Sequence, residues 1–153
     1  MGTSCAIIEK KEDNSYRMIT VHWDGYPDGA GKILFDNYND ETKLDSLFEL
    51  GDLSILGPNP ISKPEWWDYS KPKTEEQENG CLSYSDRGDY CPPTIFSDYD
   101  NLLEDFPTYV CFTYLFKEGE WYLEERVYAE SKYYIRLTPL SIVLNTYNKK
   151  EDE

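Results

Sequence analysis

Hydrophobic and polar positions alternate most clearly near the two ends of the chain. "SCAIIEK" and "SYRMITVHW" flank the polar turn "KEDN", and both are rich in β-branched or aromatic residues. They predict an opening β-hairpin. Later, "TYVCFTYLF" and "WYLEERVYA" sit on either side of the glycine turn "KEGE", which predicts a second hairpin. "SKYYIRL" continues as a further strand, and "CLSYS" reads as a short one.

Helical spacing occupies other stretches. In "KILFDNY", Ile33, Leu34 and Tyr38 share one helical face. In "DETKLDSLFELGD", Leu44, Leu47 and Phe48 fall at i, i+3 and i+4, Asp40 or Thr42 can cap the start, and Gly51 suits the stop. "SDYDNLLEDF" predicts a short helix capped at Ser97 or Asp98. "LSIVLNTYN" predicts an amphipathic one, with Thr138 as cap and Pro139 in its first turn. The sum is an α+β fold: a largely antiparallel sheet of about five or six strands with three or four short helices. No internal repeat is visible.

Between Gly57 and Gly80 the pattern dissolves into "GPNPISKPEWWDYSKPKTEEQENG", with four prolines and a charged run. A long irregular loop at 57–80 is expected, inside a single domain spanning 1–148, followed by a frayed acidic tail at 149–153. Trp66 and Trp67 stand together in that loop. Solvating two indoles is unfavourable, so they either pack back on the body or dock a partner.

Composition narrows the class. A chain of 153 residues is long enough to bury one core, and fourteen tyrosines and four tryptophans mark a folded domain rather than a disordered acidic chain. The net charge of −15 disfavours direct contact with nucleic acid or an anionic membrane and favours a basic partner. No apolar run reaches transmembrane length and no leader pattern opens the sequence, so the expected setting is the cytoplasm. Four cysteines without a C-x-x-C spacing argue against a disulfide framework, and a single histidine argues against a zinc site. "DYDNLLED" lacks the sixth-position glycine of a calcium loop. No metal and no cofactor is expected.

Candidate chemistry concentrates in "VHWDGYPDGAGK", Val21 to Lys32, which holds the only histidine. A phosphate-binding loop of the form G-x-x-x-x-G-K-S/T fails: Gly25 and Gly31 are one residue too far apart, and Ile33 stands where a hydroxyl is required. The dinucleotide fingerprint G-x-G-x-x-G fails as well. A weaker reading places Gly29, Gly31 and Lys32 at a helix N-terminus able to hold an anion, with Asp28 as the competing cap. His22 and Asp24, two apart on a strand, would share a face as an acid/base pair, although Asp24 next to Gly25 also suits a turn. No spacing supports Cys5, Cys81, Cys91 or Cys111 as a nucleophile, and no catalytic residue is assigned.

Five blocks in order, "MGTS", "HWDGYPDGAGKIL", "LGDLSILG", "SYSDRGDY" and "TYLFKEGEWYL", span most of the chain. Together they resemble a widespread family of small bacterial and bacteriophage proteins with an HWDGYP block near the N-terminus. Ser4 departs from the arginine usual there. The resemblance carries over no activity; it implies a phage or mobile-element context, in which small acidic proteins often block host defence machinery. Within that frame HWDGYP reads as a scaffold: Trp23 and Tyr26 anchoring the turn to the core, Gly25 supplying positive φ, and Pro27 setting the start of the helix.

Two functions follow as expectations. The first is a non-enzymatic acidic protein that occupies a basic surface of a host defence protein or nucleoprotein complex, of the anti-CRISPR or anti-restriction type. Its partner-binding residues would be Trp66, Trp67, Asp45, Glu49, Glu75, Glu76, Glu124 and Glu125. The second is a nucleotide-binding protein or enzyme using His22, Asp24, Tyr26, Lys32 and Arg87, with Arg87 either clamping Asp24, Asp86 or Asp89 or reading a phosphate or carboxylate.

Overall fold

Two hairpins meet at the centre of one sheet. A computed structural model describes residues 3–68, 70–107 and 109–151, and the side chains of Arg87, Tyr128, Tyr133 and residues 147–151 lie outside the description. The first hairpin joins β1 (Cys5–Lys10) to β2 (Tyr16–Val21), and Asn14 takes the positive φ its turn needs. The second joins β6 (Phe112–Lys117) to β7 (Glu120–Ala129) through Glu118 and Gly119, both at positive φ. β7 then turns through Glu130 and Ser131 into β8 (Lys132–Pro139). Two successive positive-φ residues form the hairpin turn whose twist matches that of the strands.

β1 and β6 lie side by side in parallel, Cys5 opposite Phe112 and Ile7 opposite Tyr114. Being central, β1 is covered on both faces, which is why "CAII" is apolar at every position rather than alternating. Two short strands absent from the sequence expectation extend the sheet. β3 (Leu53–Ile55) pairs in parallel with the end of β2, and β5 (Thr94–Phe96) pairs antiparallel with its beginning. β4 (Leu82–Ser83) follows β3, giving the order β4-β3-β2-β1-β6-β7-β8 with β5 beside β2. The fold is α+β with a mostly antiparallel sheet, as the pattern implies, but the described residues form eight strands where about five or six were expected.

Each face of the sheet has its own core. On one face, Ile7, Ile19, Val21, Tyr114 and Trp121 pack against α1 (Lys32–Asn37), α2 (Glu41–Glu49) and the start of α5 (Leu140–Glu151). On the other, Ile8, Met18 and Leu115 are covered by Phe96 and by Leu102 of α4 (Tyr99–Glu104). Burying each such side chain contributes about 1.5–3 kcal/mol. A relay of hydrogen bonds ties the first core together. The Trp121 indole donates to the Tyr38 carbonyl at 2.9 Å, and the Tyr38 hydroxyl donates to the Gly57 carbonyl at 2.7 Å.

Local signals set most helix ends. Asp40 caps α2 by accepting from the Thr42 amide, Asp98 caps α4 through the Asn101 amide, and Gly51 leaves α2 at positive φ. α5 is the exception. Thr138 and Pro139 remain in β8, opposite Leu123 and Tyr122, and the helix begins only at Leu140. Pairing with β7 outweighs the local capping signal. α5 runs on through Glu151, where a frayed end was expected, and residues 152–153 lie outside the description.

The 57–80 segment is less irregular than its prolines suggest. Pro64–Trp67 forms one 3-10 turn, and α3 (Glu75–Asn79) starts at a Thr74 cap. Trp66 is only 5 % exposed and packs its ring on Gly80, where a Cβ would come within 2.5 Å of the indole. The expected partner contact at Trp66 is thus corrected: the indole holds the segment to the body.

Candidate functional site

The HWDGYP stretch begins where β2 runs out. The His22 and Trp23 amides donate to the Leu53 and Ser54 carbonyls, both at 3.0 Å, so β3 still guides the backbone past Val21. The chain then reverses at Asp24, φ 58°, and not at Gly25 as expected. Gly25 serves a different need. A Cβ there would lie 2.8 Å from the backbone of Ser4 and Cys5, so only glycine allows the loop to lie against β1.

Three bonds hold this approach. The Gly25 amide donates to the Thr3 carbonyl at 2.8 Å, the Tyr114 hydroxyl donates to the Gly25 carbonyl at 2.7 Å, and the Ala30 amide donates to the Asp24 carbonyl at 2.9 Å. Pro27 opens a single wide turn, Pro27–Gly31, with the Lys32 amide bonded back to the Pro27 carbonyl, and this turn runs straight into α1. Such wide turns are rare in proteins and often mark functional sites. Pro27, Ala30 and Gly31 are buried, and Gly31 sits against the Tyr114 ring.

At the expected anion site the loop amides are already engaged: Gly29 and Gly31 donate to the Tyr26 carbonyl and Ala30 to that of Asp24. The helical segment starts at Pro27, so Gly29 and Gly31 lie within its first turn and Lys32 follows it. Asp28 makes no side-chain cap, and Lys32 pairs along the helix with Asp36 at 3.2 Å. The structure overturns the anchoring role given to the aromatics. Trp23 is 41 % exposed and Tyr26 39 % exposed; the loop is anchored instead by Pro27, Ala30 and the Tyr114 hydroxyl.

Of the five residues expected at a ligand site, two meet directly. The Tyr26 hydroxyl donates to the Asp24 carboxylate at 3.3 Å, and the charge of Asp24, then partial burial, pushes the Tyr26 phenol above its ordinary pKa. The His22 ring lies edge-on to Trp23, 4.8 Å between centroids, rather than against Asp24. Lys32 is engaged with Asp36. The Arg87 side chain lies outside the description, while Asp86 accepts a hydrogen bond from Ser62. What the scaffold reading of HWDGYP missed is the exposure of Trp23 and Tyr26.

The four cysteines are free thiols. Cys5 and Cys81 are buried; burial pushes both thiols up, that of Cys81 to about 11. No group of three or more His, Cys, Asp or Glu side chains among the described residues is arranged to hold a metal ion. Two clefts lie away from the HWDGYP stretch. One, of about 700 Å³, opens between the β1–β2 and β6–β7 turns and includes Glu12, Asp13, Glu41 and Glu118. The other, of about 480 Å³, lies beside α4 and includes Phe106, Cys111, Glu124 and Arg126.

The acidic residues divide into structural and free-standing groups. Glu124 is 9 % exposed and accepts from the Tyr99 hydroxyl, so its expected contact with a partner is corrected to a role inside the second core. Asp45 pairs with Arg17, Glu76 with Lys63, and Glu125 with Arg136. Glu49 and Glu75 are exposed, and Trp67 is half-buried. The longest stretch of sequence without a cation is elsewhere. From Gly88 to Phe116 there is no lysine or arginine, and Asp98, Asp100, Glu104 and Asp105 stand exposed on and beside α4.

Among the described residues, no helix is long and apolar enough to cross a membrane. No family model, curated protein or solved structure matches the chain.

Proposed function

We propose that the protein works by contact rather than by chemistry, using its acidic exterior to occupy a basic surface on a protein partner. The supporting observation is the exposed carboxylate band on and beside α4, in a stretch of sequence without lysine or arginine, with Arg126 over Phe106 the cation described beside it. With a formal charge of −15, encounter with a basic groove is electrostatically steered, whereas nucleic acid is repelled. A groove that ordinarily holds DNA or RNA has the complementary charge. The partner is therefore read as a nucleic-acid-handling defence protein or complex, of the CRISPR or restriction type. The HWDGYP resemblance adds the phage or mobile-element context and a host-cell cytoplasmic site of action.

The test is binding to purified CRISPR effectors and restriction enzymes over a salt series. Affinity for the true target should fall by about tenfold or more as salt rises from roughly 0.05 to 0.5 M. Asp100→Asn/Glu104→Gln/Asp105→Asn should weaken it at low salt and flatten the salt dependence. Binding that is indifferent to both changes would sink the reading.

A further inference from the structure

The geometry points to the outer face of the Trp23–Tyr26 loop as a docking surface for arginine side chains of a protein partner. The inference rests on the acidic-binder reading and adds where the decisive contacts fall.

Trp23 and Tyr26 present aromatic area to solvent from a backbone that is held on its inner side. Gly25 is pressed against Ser4 and Cys5, its carbonyl is bonded to Tyr114, and Asp24 is held at positive φ by the Ala30 amide. Tyr26 covers Gly29 with one edge of its ring, where a Cβ would lie 2.8 Å away, and is 39 % exposed. Exposed indole and phenol groups on a fixed backbone lose little freedom on binding, which is the property of interface hot spots.

Charge selects the occupant. Asp24 and Asp28 are both exposed at this loop, and the nearby cation Lys32 is compensated by Asp36. Aromatic faces beside carboxylates suit a guanidinium, which stacks on the ring and bonds the carboxylate in the same plane. The protein uses this pairing internally: Arg17 lies over Phe48 at 4.2 Å with Glu9 and Asp45 on its nitrogens, and Arg126 lies over Phe106 at 4.5 Å. Among the described pairs, no cation of the chain covers Trp23 or Tyr26. A second copy is a poor occupant, since each copy carries −15.

The experiment uses the full chain labelled with 5-fluorotryptophan, which carries four reporters. The Trp23 signal is assigned with Trp23→Phe. The probe is a capped peptide of arginines separated by glycines, with its lysine counterpart as comparison. A saturable shift of the Trp23 signal is expected, larger for arginine than for lysine. Trp23→Ala/Tyr26→Ala should lose about tenfold or more in affinity, and Asp24→Asn/Asp28→Asn, which keeps both rings, should also weaken binding.

Peptide binding that leaves the Trp23 signal unmoved, yet is weakened by the α4 charge variant, would overturn the docking site and leave the acidic-binder reading standing. Equal shifts from the two peptides would overturn the arginine assignment. No binding of either peptide at low salt would overturn both readings.

Discussion

The Tyr114 hydroxyl, on a central strand, donates to the carbonyl of Gly25, 89 residues earlier in the chain. That bond joins the second hairpin to the HWDGYP loop from inside the core, and it makes the loop's conformation depend on tertiary assembly. Tyr114→Phe removes the donor while keeping the ring against Gly31. A buried carbonyl left without this partner costs about 1–3 kcal/mol. Denaturant unfolding should show a lower midpoint with an unchanged slope.

Two glycines with different duties give a second prediction. Gly25→Ala places a methyl 2.8 Å from backbone atoms of Ser4 and Cys5, which cannot move without disturbing β1, and overpacking of this kind costs about 1–3 kcal/mol. At Gly88, φ 86°, a Cβ meets nothing within 4 Å, so Gly88→Ala costs only the left-handed backbone penalty of about 1–2 kcal/mol. The qualitative separation is sharper than the energies. Gly25→Ala should perturb amide shifts in β1 and around Trp23, and Gly88→Ala should leave both unchanged.

Glu9 is 3 % exposed, and its carboxylate accepts from Arg17 Nε at 2.6 Å while the guanidinium spans Phe48 and Asp45. Arg17→Ala strands a buried carboxylate, and breaking such pairs costs about 3–5 kcal/mol. Lys11, 3.5 Å from the same carboxylate, moderates the loss. Glu9→Gln/Arg17→Met removes both charges and should recover much of the stability. Thermal melts of the single and double variants check this directly.

Glu124 supplies a pH prediction. Burial raises its pKa above the ordinary 4.5, and the Tyr99 hydroxyl and Arg126 offset only part of that rise. The folded state therefore holds the proton more tightly than the unfolded chain. Its contribution is complete below the ordinary value and is lost as pH rises through the raised one. Wild type should lose stability relative to Glu124→Gln across that window and hold a constant difference above it. Parallel stability–pH curves for the two proteins would contradict the assignment.

The two tryptophan environments differ enough to separate scaffold from surface. Trp66→Ala empties a packed position over Gly80 and should cost about 3–5 kcal/mol. Trp23→Ala removes a half-exposed ring and should change the melting temperature little. A large drop for Trp23→Ala would mean that the indole supports the loop and is not reserved for a partner.

Much of the architecture is legible in residue order. Six of the eight strands and the helices α1, α2, α4 and α5 follow from alternation, helical spacing and nearby caps, because these depend on neighbours within one or two turns. β3 and β5 are three-residue strands whose identity comes from lying along β2, so no local signal announces them. Thr138 and Pro139 show the opposite case: a good local cap overridden by a distant strand. At the candidate site, the glycines and Pro27 are readable as a turn. The direction of Trp23 and Tyr26 is not, because their apolar character fits a core equally well.

By itself the order of residues determines an acidic, aromatic-rich α+β domain with two hairpins, because charge and short-range periodicity need no tertiary partner. Only the folded structure decides that β1 and β6 run in parallel, that Trp66 faces inward while Trp23 faces out, and that Gly25 answers to Cys5 and Tyr114. Those outcomes depend on which segments meet across long stretches of chain. Contacts of that kind are set by the packing of the whole sheet, not by the neighbours of any one residue.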